Sequence, residues 1–117
     1  MATVKTVQDK TIWIGIEIEG YNEQTITQTF KAAEAAGEYL DLFASKQNDY
    51  GVNNIGFFGE QGVVIRLHDK IQRLIRMVWK QVQPKNESIR DTWLDVIGYG
   101  IIGLLTHDKK WDATGRT

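Results

Sequence analysis

Glu87-Ser88-Ile89-Arg90-Asp91-Thr92-Trp93-Leu94-Asp95-Val96-Ile97, followed by Gly98-Tyr99-Gly100-Ile101-Ile102-Gly103-Leu104-Leu105, is the stretch that decides the fold. Asn86 or Ser88 can cap a helix over 87–105, because a short polar side chain before an apolar-periodic run accepts a free first-turn N–H. The apolar face begins with Ile89, Trp93, Val96 and Ile97. Beyond Ile97 the helix is apolar nearly all round, which implies central burial or a subunit interface.

Working towards the N-terminus, Pro84 closes a second helix read over 63–81, with Val64, Leu67, Ile71, Leu74, Ile75 and Val78 on one face. Gln47 to Gly62 reads as a loop, with glycines at 51, 56, 59 and 62. Loops of that length are often functional. A first helix spans 23–45 behind Asn22 as N-cap, with Ile26, Phe30, Ala33, Gly37, Leu40 and Ala44 at helical spacing. Residues 3–19 read as β. Ile12, Ile14, Ile16 and Ile18 alternate with Trp13, Gly15, Glu17 and Glu19, the period of a half-buried strand. A short run from Thr3 to Val7 can pair with it across Gln8-Asp9-Lys10. A lone hairpin is marginal in water and must pack on helices or extend a partner's sheet. The expectation is a mainly α (α+β) single domain over 1–117, a three-helix core with an N-terminal strand or hairpin, assembled as an oligomer. Residues 112–117 are expected to form a loose tail.

Composition narrows the class. At 117 residues the chain suffices for one domain, and its 42% apolar and 25% charged content is that of an ordinary globular protein. Four Trp, four Tyr and four Phe are generous for the length, and aromatics can hold a small core or a subunit interface. A net charge of −1 gives no bulk attraction to duplex nucleic acid or anionic lipid, so neither is an expected partner. The absence of cysteine excludes disulfides, thiolate metal sites and a thiol nucleophile. No apolar run reaches the roughly 18 residues of a membrane span, and the N-terminus lacks a signal-peptide succession. The location read from this is cytoplasmic. His68 and His107 have no metal-ligand spacing, and no serine sits in a nucleophile-elbow context.

Three features can carry chemistry. Arg66, Lys70 and Arg73 form a cationic stripe on the second helix. Held on a rigid helix, such groups suit phosphate oxygens, Arg by paired bonds and Lys as a point charge. Glu87, Asp91 and Asp95 recur at i, i+4 and i+8 on the third helix, with Tyr99 a turn further. Like charges at that spacing repel, so they call for a bound cation or facing basic groups. Mg²⁺ sharing substrate phosphates is one answer. Pairing with Arg66, Lys70 and Arg73 is the other, and it explains both stripes at once. Lys46, Asp49, Tyr50 and Gly51, where the first helix meets the glycine-rich loop, offer a phosphate cation and a base-stacking aromatic, or else a plain helix-ending turn. Gly98-Tyr99-Gly100-Ile101-Ile102-Gly103 matches G-x-G-x-x-G formally, but only 14 residues follow Gly103, too few for the second strand and acidic residue of a dinucleotide site. These glycines are read instead as allowing close helix packing.

Several blocks together resemble the nucleotide modification associated domain 1 family, small proteins found mainly in bacteriophages. They are Leu42-Phe43-Ala44-Ser45-Lys46 with Asp49-Tyr50-Gly51, Asn54-Ile55-Gly56, Gly62-Val63-Val64-Ile65-Arg66, Asp69-Lys70-Ile71-Gln72-Arg73-Leu74, 87–95, and Gly98-Tyr99 with Ile101-Ile102-Gly103. They span about residues 21 to 111. Gly100 stands where alanine is expected, and the β segment lies outside the resemblance. The resemblance implies a phage accessory linked to nucleotide metabolism, acting in the host cytoplasm, with no settled reaction.

Two functions follow as expectations. The preferred one is non-catalytic binding of a nucleotide or cyclic nucleotide-derived immune signal, requiring no cofactor. Its candidate ligand-binding residues are Lys46, Asp49, Tyr50, Arg66, Lys70, Arg73, Asp91, Asp95 and Tyr99, in a pocket that can lie between chains of a homo-oligomer. The alternative is a Mg²⁺-dependent nucleotide pyrophosphohydrolase similar to MazG-type enzymes, with Glu87, Asp91 and Asp95 on the metal. Those enzymes carry a second acidic pair on the neighbouring helix, where this chain has only Asp69. A purely structural interaction module is the third reading.

Overall fold

The computed structural model describes residues 2–8, 10–50, 59–83 and 87–111, without the side chains of residues 5–8 and 50. The expected loop tip at 51–58, Asn86 as a cap, and the tail at 112–117 lie outside these residues. The molecule is mainly helical, with a small antiparallel hairpin at its N-terminus: β1 (Ala2–Gln8), β2 (Thr11–Ile16), α1 (Glu23–Tyr50), α2 (Gly59–Leu74) running on as a π-helical turn (Ile75–Trp79), and α3 (Ile89–His107). No helix among the described residues is long and apolar enough to cross a membrane. The chain divides into two compact units, Met1–Ala36 and Gly37–Thr117.

In the first unit, Ala2 pairs with Ile16 and Val4 with Ile14, and a bulge between Lys5 and Val7 shifts the register so that Val7 faces Ile12. An extra residue on one strand has this effect because two residues then oppose one. The alternation is therefore real, but half-burial is not. Ile12, Ile14 and Ile16 are exposed on one face and Trp13 on the other, and the strand stops at Ile16 rather than Glu19. The hairpin is a two-stranded sheet among the described residues. Gly20, at φ +86°, turns the chain out of the strand, and the Tyr21 N–H donates to the Ile18 carbonyl at 3.1 Å. Asn22 then caps α1, its Oδ1 accepting from the Thr25 N–H at 2.8 Å.

The second unit is built on α2 and α3. They run antiparallel: the Glu60 carboxylate meets His107 at one end, and Arg73 meets Glu87 at the other. Ser88 is the cap of α3, its hydroxyl accepting from the Asp91 N–H at 3.0 Å. The buried apolar residues are Tyr39, Val63, Leu74, Met77 and Ile102. Burial of aliphatic side chains of this size contributes about 1.5–3 kcal/mol each.

The helix limits differ from the sequence reading. α1 continues five residues past Ser45 to Tyr50, because its Tyr39, Phe43 and Gln47 line a cleft shared with α3, and that packing outweighs the poor propensity of Asn48 and Asp49. α2 begins at Gly59, four residues early, and its helical turns end at Trp79 rather than 81. Gln81, at φ +55°, breaks it. α3 is shifted two residues later at both ends, to Ile89–His107. The buried stripe on α2 is Val63 and Leu74 with Met77 beyond, so Val64, Ile71 and Val78 of the expected face are exposed. On α1, Phe30 is exposed and Tyr39 is the buried anchor.

Candidate functional site

α1 from Gly37 onward meets α3 through Tyr39. The ring lies against Gly98, where an added Cβ would come within 2.5 Å of the Tyr39 hydroxyl and 2.9 Å of two ring carbons. Only glycine allows that approach. Gly103 serves more loosely, its Cβ position lying 3.5 Å from Val63 on α2. Gly98 and Gly103 thus make the close helix contacts expected of the glycine run, whereas Gly100 is exposed and makes none among the described residues. The Phe43 ring centre sits 6.0 Å from that of Tyr39 and 6.2 Å from that of Trp111. Arg90 on α3 grips Glu38 on α1 with two nitrogens, at 2.5 and 2.6 Å.

The two charged stripes meet at the seam between the helices. Lys70 Nζ stands 2.9 Å from Glu87 Oε1 and 2.9 Å from Asp95 Oδ2. Arg73 Nε donates to Glu87 Oε2 at 3.0 Å, and Lys46 Nζ lies 3.6 Å from Asp95 Oδ1. Thr92, fully buried, donates its hydroxyl to Glu87 Oε2 at 2.5 Å, with the Ser88 carbonyl 3.0 Å away. The repulsion along the acidic stripe is thus relieved by an ammonium placed between two of its members.

Titration behaviour follows from this wiring. Burial pushes the Glu87 carboxyl up, but hydrogen bonds from Thr92 and Lys70 and the Lys70 charge outweigh it and hold the group at about 2. Burial opposes the Lys70 charge too. Hydrogen bonds to Asp95 and Glu87 prevail, and its pKa lies above the ordinary lysine value.

Next to this network is a small cavity of about 60 Å³ between α1 and α3. Tyr39, Phe43, Lys46 and Gln47 line it from α1, and Asp95, Gly98, Tyr99 and Ile102 from α3. Gln47 Oε1 is buried and has no hydrogen-bond partner among the described residues. An unpaired buried acceptor costs about 1–3 kcal/mol, so a donor arriving from a ligand gains by meeting it. The Tyr39 phenol is pushed up to about 12 by burial first, then by the Asp95 carboxylate and Tyr99. It remains a neutral donor through physiological pH. Because the folded phenol keeps a proton that the unfolded chain loses near pH 10, this contribution to stability is complete below 10 and fades between about 10 and 12. Urea midpoints measured across that window are expected to fall less steeply in Tyr39→Phe than in wild type. Equal slopes would contradict the assignment.

No family model, curated protein or solved structure matches this chain. The family resemblance rests on the sequence blocks alone.

Of the residues marked in the sequence, the structure brings together Lys46, Lys70, Arg73, Glu87, Asp95 and Tyr99. Arg66 is exposed on α2 and Asp49 near the end of α1, and neither has an ion pair among the described residues. Asp91 is exposed in the first turn of α3, and its charge acts on Arg90. The Tyr50 side chain lies outside the described residues. Glu87 and Asp95 meet at Lys70 while Asp91 stands apart, and no group of three or more Asp, Glu or His among the described residues stands close enough to share a metal ion. The acidic stripe meets a lysine instead. Residues missed from the sequence are Tyr39, Gln47 and Thr92. The i, i+4, i+8 series Tyr39, Phe43, Gln47 was the available signal for the first two.

Proposed function

We propose that the chain is a non-catalytic receptor for a small nucleotide or cyclic nucleotide-derived signal, bound at the cleft between α1 and α3. The observation that carries this reading is the convergence of a half-exposed lysine (Lys46), an amide oxygen without a partner among the described residues (Gln47 Oε1) and two tyrosines (Tyr39 and Tyr99) on one cleft. A base supplies what these groups lack: a flat ring for the aromatics and an exocyclic amine for Gln47 Oε1. Phosphates then lie outside, over Lys46, whose side chain is half exposed and loosely paired at 3.6 Å. A cavity of about 60 Å³ admits the edge of a base, not a whole nucleotide, so most of the ligand stays at the mouth. Lys70 and Arg73, already committed to Glu87 and Asp95, act as the scaffold of the site rather than as its phosphate ligands. The phage setting enters only through the resemblance of the sequence blocks.

The test is retention. Purified protein is incubated, with and without Mg²⁺, in a mixture of nucleoside triphosphates, cyclic dinucleotides and cyclic ADP-ribose isomers. The free pool and the material released on denaturation are chromatographed separately. One compound depleted from the pool and recovered intact is expected. Conversion that requires Mg²⁺ would replace this reading with the hydrolase.

A further inference from the structure

The ion network and the cleft occupy one side of the α2/α3 pair, and the opposite side is mainly apolar and exposed, with His68 at the same helical spacing. On α2 it is formed by Val64, Ile71, Ile75 and Val78, with Trp79 at the end. On α3 the matching stripe is Ile89, Trp93, Ile97 and Leu104, with Gly100 between. The two stripes are continuous: Trp93 shares an apolar groove of about 290 Å³ with Ile71, Ile75, Val78 and Trp79. Eight of these apolar side chains are between 37% and 80% exposed. At roughly 150–250 Å² for a large side chain, the face offers on the order of 800 Å² of apolar surface. That exceeds the roughly 300–600 Å² patch of an ordinary monomer and matches the roughly 800 Å² each partner buries in a standard interface.

We propose that this face binds the same face of a second copy of the chain, closing two α2/α3 pairs into a four-helix layer about a two-fold axis. The area is the first reason: it is what a stable dimer needs. The second is self-complementarity. The polar groups on it are few, the Trp79 and Trp93 indole N–H and His68, so the face demands little of its partner, and a two-helix-wide apolar face is covered by another of equal width. The third is the small net charge of −1, which leaves little repulsion between copies. Trp79 and Trp93, the largest exposed side chains of the patch, are its anchors, as buried tryptophans are in stable interfaces. The dimer forms on the side away from the cleft, so it stands independently of ligand binding.

Sedimentation equilibrium of the full chain at micromolar concentration tests it. Wild type is expected at twice the chain mass, and Trp93→Glu at the chain mass with an unchanged helical circular-dichroism signal. Should Trp93→Glu unfold, Leu104→Glu places the charge at the other end of the stripe and is expected to give the monomer. Ile14→Asp, on the exposed hairpin, is expected to remain dimeric. A monomeric wild type, a dimer that survives both glutamates, or a dimer dissolved by Ile14→Asp alone would overturn the proposal, the last in favour of association through the hairpin.

Discussion

Gly98→Ala is expected to destabilise the protein, although alanine is the better helix former. The new methyl would stand 2.5 Å from the Tyr39 hydroxyl and 2.9 Å from two atoms of its ring, well inside contact distance. The ring is stiff and buried, so relief requires a shift of α1 or an off-rotamer Tyr39, and overpacking of this kind costs about 1–3 kcal/mol. Alanine returns about 0.5–1 kcal/mol of helix propensity. The net expectation is a loss of about 1–2 kcal/mol. Gly37→Ala is the control: it lies within α1 with nothing within 4 Å of its Cβ position, and is expected to gain about 0.5–1 kcal/mol. Urea unfolding of the two variants beside wild type gives the comparison. Equal stabilisation by both would mean that Tyr39 does not rest on Gly98, and the cleft between α1 and α3 would have to be redrawn.

The second large effect is expected at Glu87. Its carboxylate accepts from Thr92, Lys70 and Arg73, two of them charged and one fully buried. Glu87→Ala leaves the Thr92 hydroxyl to the Ser88 carbonyl and strips both cations of a partner, a loss of about 2–3 kcal/mol by the usual value of hydrogen bonds to charged groups. Glu87→Gln retains part of the geometry without the charge and is expected to lose less. The pH dependence has a definite sign. The folded-state pKa of about 2 lies below the ordinary 4.5, so the stabilisation is complete above about 4.5 and drains away as pH falls towards 2. Urea midpoints between pH 5 and pH 2 should therefore fall more steeply in wild type than in Glu87→Ala. Parallel curves would show that Glu87 is not the group whose protonation loosens the fold.

These residues show where the sequence was readable. The three helices and their order follow from apolar spacing and from caps, and Asn22 and Ser88 act as such caps. The relation between the two charged stripes was also legible as one of two alternatives, because carboxylates and cations repeating on neighbouring helices have an obvious way to satisfy each other. The rotational setting of α2 was harder to see. Val63 and Val64 are equally apolar, and only the packed partner decides that Val63 turns inward while Val64 faces out. Tyr39 was missed for a related reason: Phe30, Leu40 and Ala44 make a better apolar stripe than the series Tyr39, Phe43, Gln47, which is selected by the gap that Gly98 leaves on α3. The hairpin shows the reverse case. Its alternation was plain, but alternation states which side chains share a face, not whether anything covers it.

Ligand retention by a cleft variant decides whether the cleft between α1 and α3 is the binding site. The double variant Lys46→Ala/Gln47→Ala removes the exposed cation and the unpartnered acceptor while leaving Glu87, Lys70, Asp95 and the Tyr39–Gly98 contact in place. Arg66→Ala, exposed on α2 and absent from the cleft lining, is its control. Wild type and Arg66→Ala are expected to withdraw the same compound from the nucleotide mixture, and the double variant, equally helical, to withdraw little or none. Retention undiminished in the double variant, or lost in Arg66→Ala alone, would contradict it and move the site to the basic face of α2.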